Sequence, residues 1–439
     1  MKKVKVMFII ERGILGGTER SAMLYAKKLN KNLFEPLFIV SKPIDEEFRK
    51  RFGELKYEII SSDEIPRFAE SMGIQVILDF TSLDGKAIEN LKKSSKVLRF
   101  VVFTENYSFN ADSNLMISKT EYLKAKLYHK DNFGKKDYVV YFPVDLDFWH
   151  KLDLSSSIKP YYTDDKKIVV GRLARAEPSK WHYLLLATLH QFKRKKALGK
   201  FTFVFAGMPK LYEKYIEIFF REELNKKNII LLPELASDED VARFYKSLDV
   251  FIQTSWIGES FGCVIAESFC FGVPVISDWK GFLNKKNVDI KRYDTQIELV
   301  DLYKNGFYAN HPETIYKFLT KLNRKELKLL GKNGSEKIKR LYNVDKVVAN
   351  LEHILLGPIL NLKPELNRRI YPSHSEINSF PSEYANRIFE ARTIESSLTK
   401  KEKIRYNLQC VGWRCIEWVY LLTRRLLRIF SFDIERRNS

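Results

Sequence analysis

The chain has 439 residues, 45% of them apolar and 13% aromatic, and carries a formal charge of +20. That length can bury two ordinary cores, and the composition excludes wholesale disorder. The charge calls for anionic partners, but it is dispersed, densest at KRKK (193–196) and RRLLR (424–428), and accompanies no nucleic-acid module, so phosphorylated small molecules or an anionic membrane are expected in place of nucleic acid.

The opening MKKVKVMFII starts basic, but its apolar run ends at Glu11 and Arg12 without a small-residue cleavage site, so it reads as a strand and not as a signal peptide. No window of about twenty residues is free of charge, and no membrane-spanning helix is expected. Further strands follow at FEPLFIV, QVILDF, VLRFVVF and NLMISKT. Between the first two strands, Gly16 and Gly17 turn the chain into a helix with Ala22, Met23, Ala26 and Leu29 on one side. This is either a tight turn or a ligand contact.

The polar stretch KLDLSSSIKPYYTDDKK separates this half from a second one of the same grammar, with strands at KIVVGRL, FTFVFAG, NIILLPE, DVFIQTS and VPVIS. The fold class is therefore α/β, with two doubly wound, Rossmann-like domains, residues 1–160 and 161–360, facing a cleft. In such sheets ligands bind beyond the carboxyl ends of the strands.

The loops at those ends carry the chemistry. After KIVV, the segment GRLARAEPSK holds Arg172 and Lys180, either two solvated cations or a grip for phosphate. Gly207 after FVFA permits close approach of a ligand. After VFIQTS comes GESFGCVIAESFCFGVPVISD (258–278), in which Ser260, Phe261, Gly262 and Cys263 start a helix whose free amides suit oxygen acceptors. Apolar residues spread around that helix leave Glu267 no solvated face, and an unpaired buried carboxylate costs several kcal/mol. Glu267 must have a partner: a buried salt bridge or a backbone cap, or else a hydroxyl-rich ligand shared with Glu259. The four cysteines, Cys263, Cys270, Cys410 and Cys415, fit neither a zinc site nor a disulfide framework, and a reducing cytoplasm suits them.

In their order, GGTER, YFPVDLDFW, VGRLARAEPSKW, FVFAG, SDEDVARFYKSLDVFIQTS, GESFGCVIAESFCFGVPVI and IELVDLYKNGFYA resemble the family 4 (group 1) retaining glycosyltransferases of the GT-B fold, over residues 4–355. The resemblance implies transfer of a sugar from a nucleoside diphosphate, UDP ahead of GDP, to an acceptor hydroxyl with retention, and with neither cofactor nor bound metal. It places Glu259 by the donor sugar, Glu267 on the ribose hydroxyls, Arg172 and Lys180 on the diphosphate, and Gly16 and Gly17 near phosphates and acceptor. Many members carry a histidine after the fourth strand of the first domain. This chain reads VVFTENYSF there, so either Glu105 or Asn106 stands in or the site is built differently. The expected acceptor is a glycan or lipid-linked intermediate of a surface polysaccharide. The competing readings are an epimerase of the same fold and a non-catalytic subunit of a transferase complex.

Residues 361–439 lie beyond the resemblance and read as a basic, amphipathic helical tail. Within it, 410–430 combine Trp413, Trp418 and several leucines with Arg414, Arg424, Arg425 and Arg428. Such a helix lies in an anionic membrane interface, here the inner face of the plasma membrane, or packs on the protein's own core or on a second copy.

Overall fold

The computed structural model describes residues 3–10, 16–44, 46–53, 55–81, 89–91, 93, 99–104, 110–129, 137–152, 166–280, 282–284, 287–289, 294–359, 372 and 374–437. Strands β1 (Val4–Ile10), β2 (Phe34–Val40), β3 (Tyr57–Ile59), β4 (Val76–Asp79), β5 (Arg99–Thr104), β6 (Ser113–Met116) and β7 (Tyr138–Val139) form a parallel sheet ordered β3-β2-β1-β4-β5-β6-β7. A second parallel sheet, ordered β10-β9-β8-β11-β12-β15, contains β8 (Ile168–Leu173), β9 (Phe201–Ala206), β10 (Ile229–Leu232), β11 (Val250–Gln253), β12 (Val275–Ser277) and β15 (Gly306–Tyr308). A short antiparallel hairpin, β13 (Phe282–Asn284) with β14 (Asn287–Asp289), is inserted between β12 and β15.

Parallel strands covered by helices on both faces need apolar residues at nearly every position. In β1, Val4, Val6, Phe8 and Ile10 enter one core and Met7 and Ile9 the other. The first of these cores runs on through Tyr141, Phe142, Phe261 and Tyr342 to Phe251 and Val275, so the halves share one apolar cluster. In each sheet the strand order reverses beside one central strand, between β1 and β4 in the first and between β8 and β11 in the second. The Gly16–Gly17 turn follows β1, and the loops holding Lys180 and Glu259 follow β8 and β11. Both reversal points, where open α/β sheets bind ligands, thus carry the motifs singled out above.

Polar bonds also tie the halves. Glu298, buried in the second half, accepts from the backbone amides of Lys119 (3.1 Å) and Thr120 (2.5 Å) and from the Thr120 hydroxyl (2.6 Å), at the start of the Lys119–His129 helix. The closing helix Val344–Ile359 returns to the first half, entered through a parallel bridge of Val144 with Asn343, and its Glu352 accepts from the amide of Asn30.

Two helices follow. In His374–Ser396, Phe380, Tyr384, Ile388 and Ala391 recur at helical spacing and are buried. Tyr384 donates to Asp294 at 2.7 Å, and Arg387 donates to the carbonyls of Ile297 and Val300 and pairs with Asp301. Thr399 and Glu402 cap the start of the Lys400–Arg437 helix reciprocally, as a Thr-x-x-Glu sequence allows. Trp413 is buried against Tyr212 and Tyr215, so at this residue the tail packs on the protein's own core, one of the alternatives the sequence left open. That part of the 410–430 segment packs on the body.

Burial pushes the carboxyls of Asp294 and Glu395 up to about 7 each, and both lie where the tail meets the body, Glu395 accepting from the amide of Asn310. Both groups ionise near pH 4 when unfolded, so the stability they support is complete below about pH 4 and is lost as pH rises through 7. Between pH 5 and pH 8 the wild type should lose roughly 5 kcal/mol relative to Asp294→Asn/Glu395→Gln, about half from each carboxyl. Urea denaturation at the two pH values measures this, and parallel pH profiles would count against it.

Candidate functional site

Two glycines start the two helices that meet at the cleft. Gly16 caps the Gly17–Lys28 helix in extended conformation. Gly262 caps Cys263–Cys270 at φ +90°, a left-handed turn that any side chain would strain. A Cβ on Gly17 would lie 2.8 Å from Cys263 Sγ, so the helix starts of the two halves nearly touch. Their free amides and positive dipole ends converge where an anion would sit.

Glu259 lies beside them, 9% exposed. Its Oε1 accepts from Gln253 Nε2 at 2.6 Å, and its Oε2 is 3.3 Å from Lys180 Nζ. Its amide donates to Gln296 Oε1 at 3.1 Å. Lys180 ends the short turn Pro178–Lys180, and that turn is held from behind by Arg172. Arg172 is fully buried: its guanidinium donates to the carbonyls of Lys180 (2.7 Å), Thr254 (3.3 Å) and Leu173, and it lies 5.3 Å from the centre of the Trp181 ring. Burial lowers its pKa to about 10, against the pull of Glu259 and Asp278, so it remains a cation at neutral pH. It is not a solvated surface charge: its donors fix the loop that carries Lys180.

Five buried polar atoms around this pair, Arg172 Nε, Gln253 Oε1, Thr254 Oγ1, Asp278 Oδ1 and Gln296 Nε2, have no hydrogen-bond partner among the described residues. Buried polar atoms are normally satisfied, by protein, water or ligand. The neighbourhood of Glu259 is therefore built to receive hydroxyls or water.

The partner that Glu267 requires is Arg20, from the first half. Arg20 Nη1 lies 3.4 Å from Glu267 Oε1 and its Nη2 3.2 Å from Asp238, while Tyr245 donates to Glu267 Oε2 at 3.1 Å. Burial first, then Glu267 and Glu259, push the Cys263 thiol up to about 12, so it stays protonated.

One cavity is lined by Gly16, Gly17, Arg172, Lys180, Glu259, Ser260, Phe261, Gly262, Cys263 and Glu267 together. Gly207 is not among its lining residues: at φ +70° its α-carbon faces the Ala174 carbonyl, 2.1 Å from where a Cβ would be, so it serves the packing of neighbouring loops. Glu105 and Asn106 lie outside the described residues. The sequence reading missed Arg20, Tyr245, Gln253 and Gln296. Gln253 had a signal, since it ends an otherwise apolar buried strand; Arg20 had a weaker one, one helical turn past the glycines.

The tail braces this site from outside. Tyr406 packs at a tilt against Tyr183 (ring centres 5.7 Å apart), Tyr183 likewise against Trp256 (5.1 Å), and Arg414 lies 5.9 Å over the Trp256 ring. Trp256 donates its amide to Ser179 O at 3.1 Å, and Tyr212, which Trp413 covers, donates to Trp181 O at 3.2 Å. The segments on either side of the Lys180–Glu259 pair are thus backed by one helix.

Residues 156–288 match the family model of the group 1 glycosyl transferases. The structure is similar to a glycosyltransferase from Rickettsia africae ESF-5 (TM-score 0.67, 14% identity, covering 82% of this chain and 100% of that one). It is also similar to Anabaena Alr3699/HepE in complex with UDP-glucose (TM-score 0.58, 16% identity, 80% and 99%) and to the lipopolysaccharide outer core galactosyltransferase WaaB (TM-score 0.57, 17% identity, 81% and 99%). No curated protein matches the chain by sequence. The fold is GT-B with a C-terminal helical extension.

Arg172→Met would leave three buried carbonyls without their donor. It should cost about 2–4 kcal/mol of stability, where a surface cation would cost less than about 0.5. The urea midpoint of the variant decides between these.

Proposed function

We propose that the chain is a retaining glycosyltransferase that moves a sugar from a nucleoside diphosphate, UDP in preference to GDP, to a hydroxyl of a lipid-linked or surface-polysaccharide intermediate, at the cytoplasmic face of the membrane. The observation that carries this is the Lys180–Glu259–Gln253 cluster set beside the two convergent helix starts. Support for a UDP-sugar comes from the likeness to Anabaena HepE with bound UDP-glucose, and support for the acceptor class from the likeness to WaaB.

In this reading the bond from the anomeric carbon to the β-phosphate oxygen breaks and a bond to the acceptor oxygen forms on the same face of the sugar. The acceptor proton passes to the departing phosphate. Charge developing on that phosphate is met by Lys180 and by the amides at Gly17 and Gly262–Cys263. The buried charge of Arg172 adds to their field and keeps Lys180 in place. These groups do the work that a divalent ion would otherwise do, so transfer should survive chelation of metals. Glu259 holds the sugar hydroxyls, while Glu267, paired with Arg20, takes the ribose.

Lys180→Ala and Glu259→Gln should each lower kcat/KM by about 30- to 1000-fold, on the scale of removing one preorganised stabilising group, and Glu267→Ala should mainly raise the nucleotide Kd. Turnover of a panel of nucleotide sugars with and without EDTA, and calorimetric titration with UDP and GDP, measure these effects. Folded variants that turn over at the wild-type rate would overturn the assignment. Absence of binding to either nucleotide by the wild type would leave a non-catalytic subunit.

A further inference from the structure

The Lys400–Arg437 helix has two apolar faces. One is docked: Tyr406 lies against Tyr183 and His311, and Trp413 against Tyr212 and Tyr215. On the other, Ile404, Leu408, Val411, Cys415 and Trp418 succeed one another at steps of four, three, four and three residues. At about 100° per residue that spacing forms one line on the side opposite Trp413. All five are exposed, Leu408 by 67% and Trp418 by 64%. Since the body already holds the opposite side, it cannot cover this one. Lys400, Lys401, Arg405 and Arg414 edge the line, and over residues 400–437 Lys and Arg outnumber Asp and Glu by ten to four.

We infer that this outward face lies in the interface of an anionic membrane. A helix that presents leucine, isoleucine and tryptophan along one line, with cations beside it, matches the acyl boundary and the phosphates of such a surface at once. Self-pairing in a coiled coil would bring the flanking cations of one copy against those of the other, whereas pairing of this kind uses opposite charges. Among the described residues no helix is long and apolar enough to cross a membrane, so this helix lies on the surface. The inference names the surface behind the membrane-face location in the proposed function, and its physical grounds are independent of the reaction.

The test uses the full chain and its Leu408→Glu/Trp418→Glu variant, which leaves the cavity residues untouched. Each is co-sedimented with vesicles of phosphatidylcholine alone and of equal parts phosphatidylcholine and phosphatidylglycerol. The wild type should pellet with the anionic vesicles only and be released by salt, and the variant should partition about tenfold less while its UDP titration is unchanged. Wild-type protein left in the supernatant, or equal pelleting of the two proteins, overturns the inference. So does a wild-type dimer in light scattering that the variant converts to monomer without any vesicle binding, which assigns the face to a second copy. Failure of both proteins to bind UDP or GDP, with the pelleting difference intact, overturns the transferase reading and leaves this one standing.

Discussion

A carboxylate drawn largely out of water at the seam between two sheets has to find donors there or lose free energy. The rest of this molecule follows from how that demand is met. Glu267 takes Arg20 and Glu298 takes the amides of Lys119 and Thr120, so in both cases the second half supplies the acid and the first half supplies the donor. The pairings set the two glycine-started helices end to end, which in turn defines the cavity. The acid also acts on its surroundings, because together with burial it keeps the neighbouring Cys263 thiol protonated.

Much of this was legible in the sequence, because the relevant signals are local. Apolar runs bounded by turn residues marked most strands of both sheets, and the acid inside CVIAESFCF announced that it needed a partner. The identity of that partner was not legible, since Arg20 stands 247 positions away and only the register of the two halves brings them together. Strands β3, β7 and β15, of two or three residues each, escaped notice; β12 is as short, but Gly272 and Pro274 before it mark where it starts. Arg172 was read, with Lys180, as either a solvated cation or a grip for phosphate. Nothing local distinguishes a guanidinium that faces ligand from one that ties three carbonyls beneath a loop, and the difference lies in tertiary burial.

The tail shows the same limit from the other side. Its aromatic residues and arginines suggested a single amphipathic face, whereas the helix divides them between two. Trp413 and Trp418 differ by five residues, which places them on widely separated sides of a helix, so composition alone could not assign both to one surface.

The apolar cluster that runs unbroken from β1 through Phe142, Phe261 and Tyr342 to β12 bears on how the cleft can move. A wide hinge opening would expose those rings to water, at a cost that grows with every square ångström uncovered. Small sliding of packed elements avoids that cost, so shear is the cheaper route for ligand entry. A shared cluster also makes the halves poor candidates for independent melting: heat or denaturant should carry both sheets through one cooperative transition rather than two.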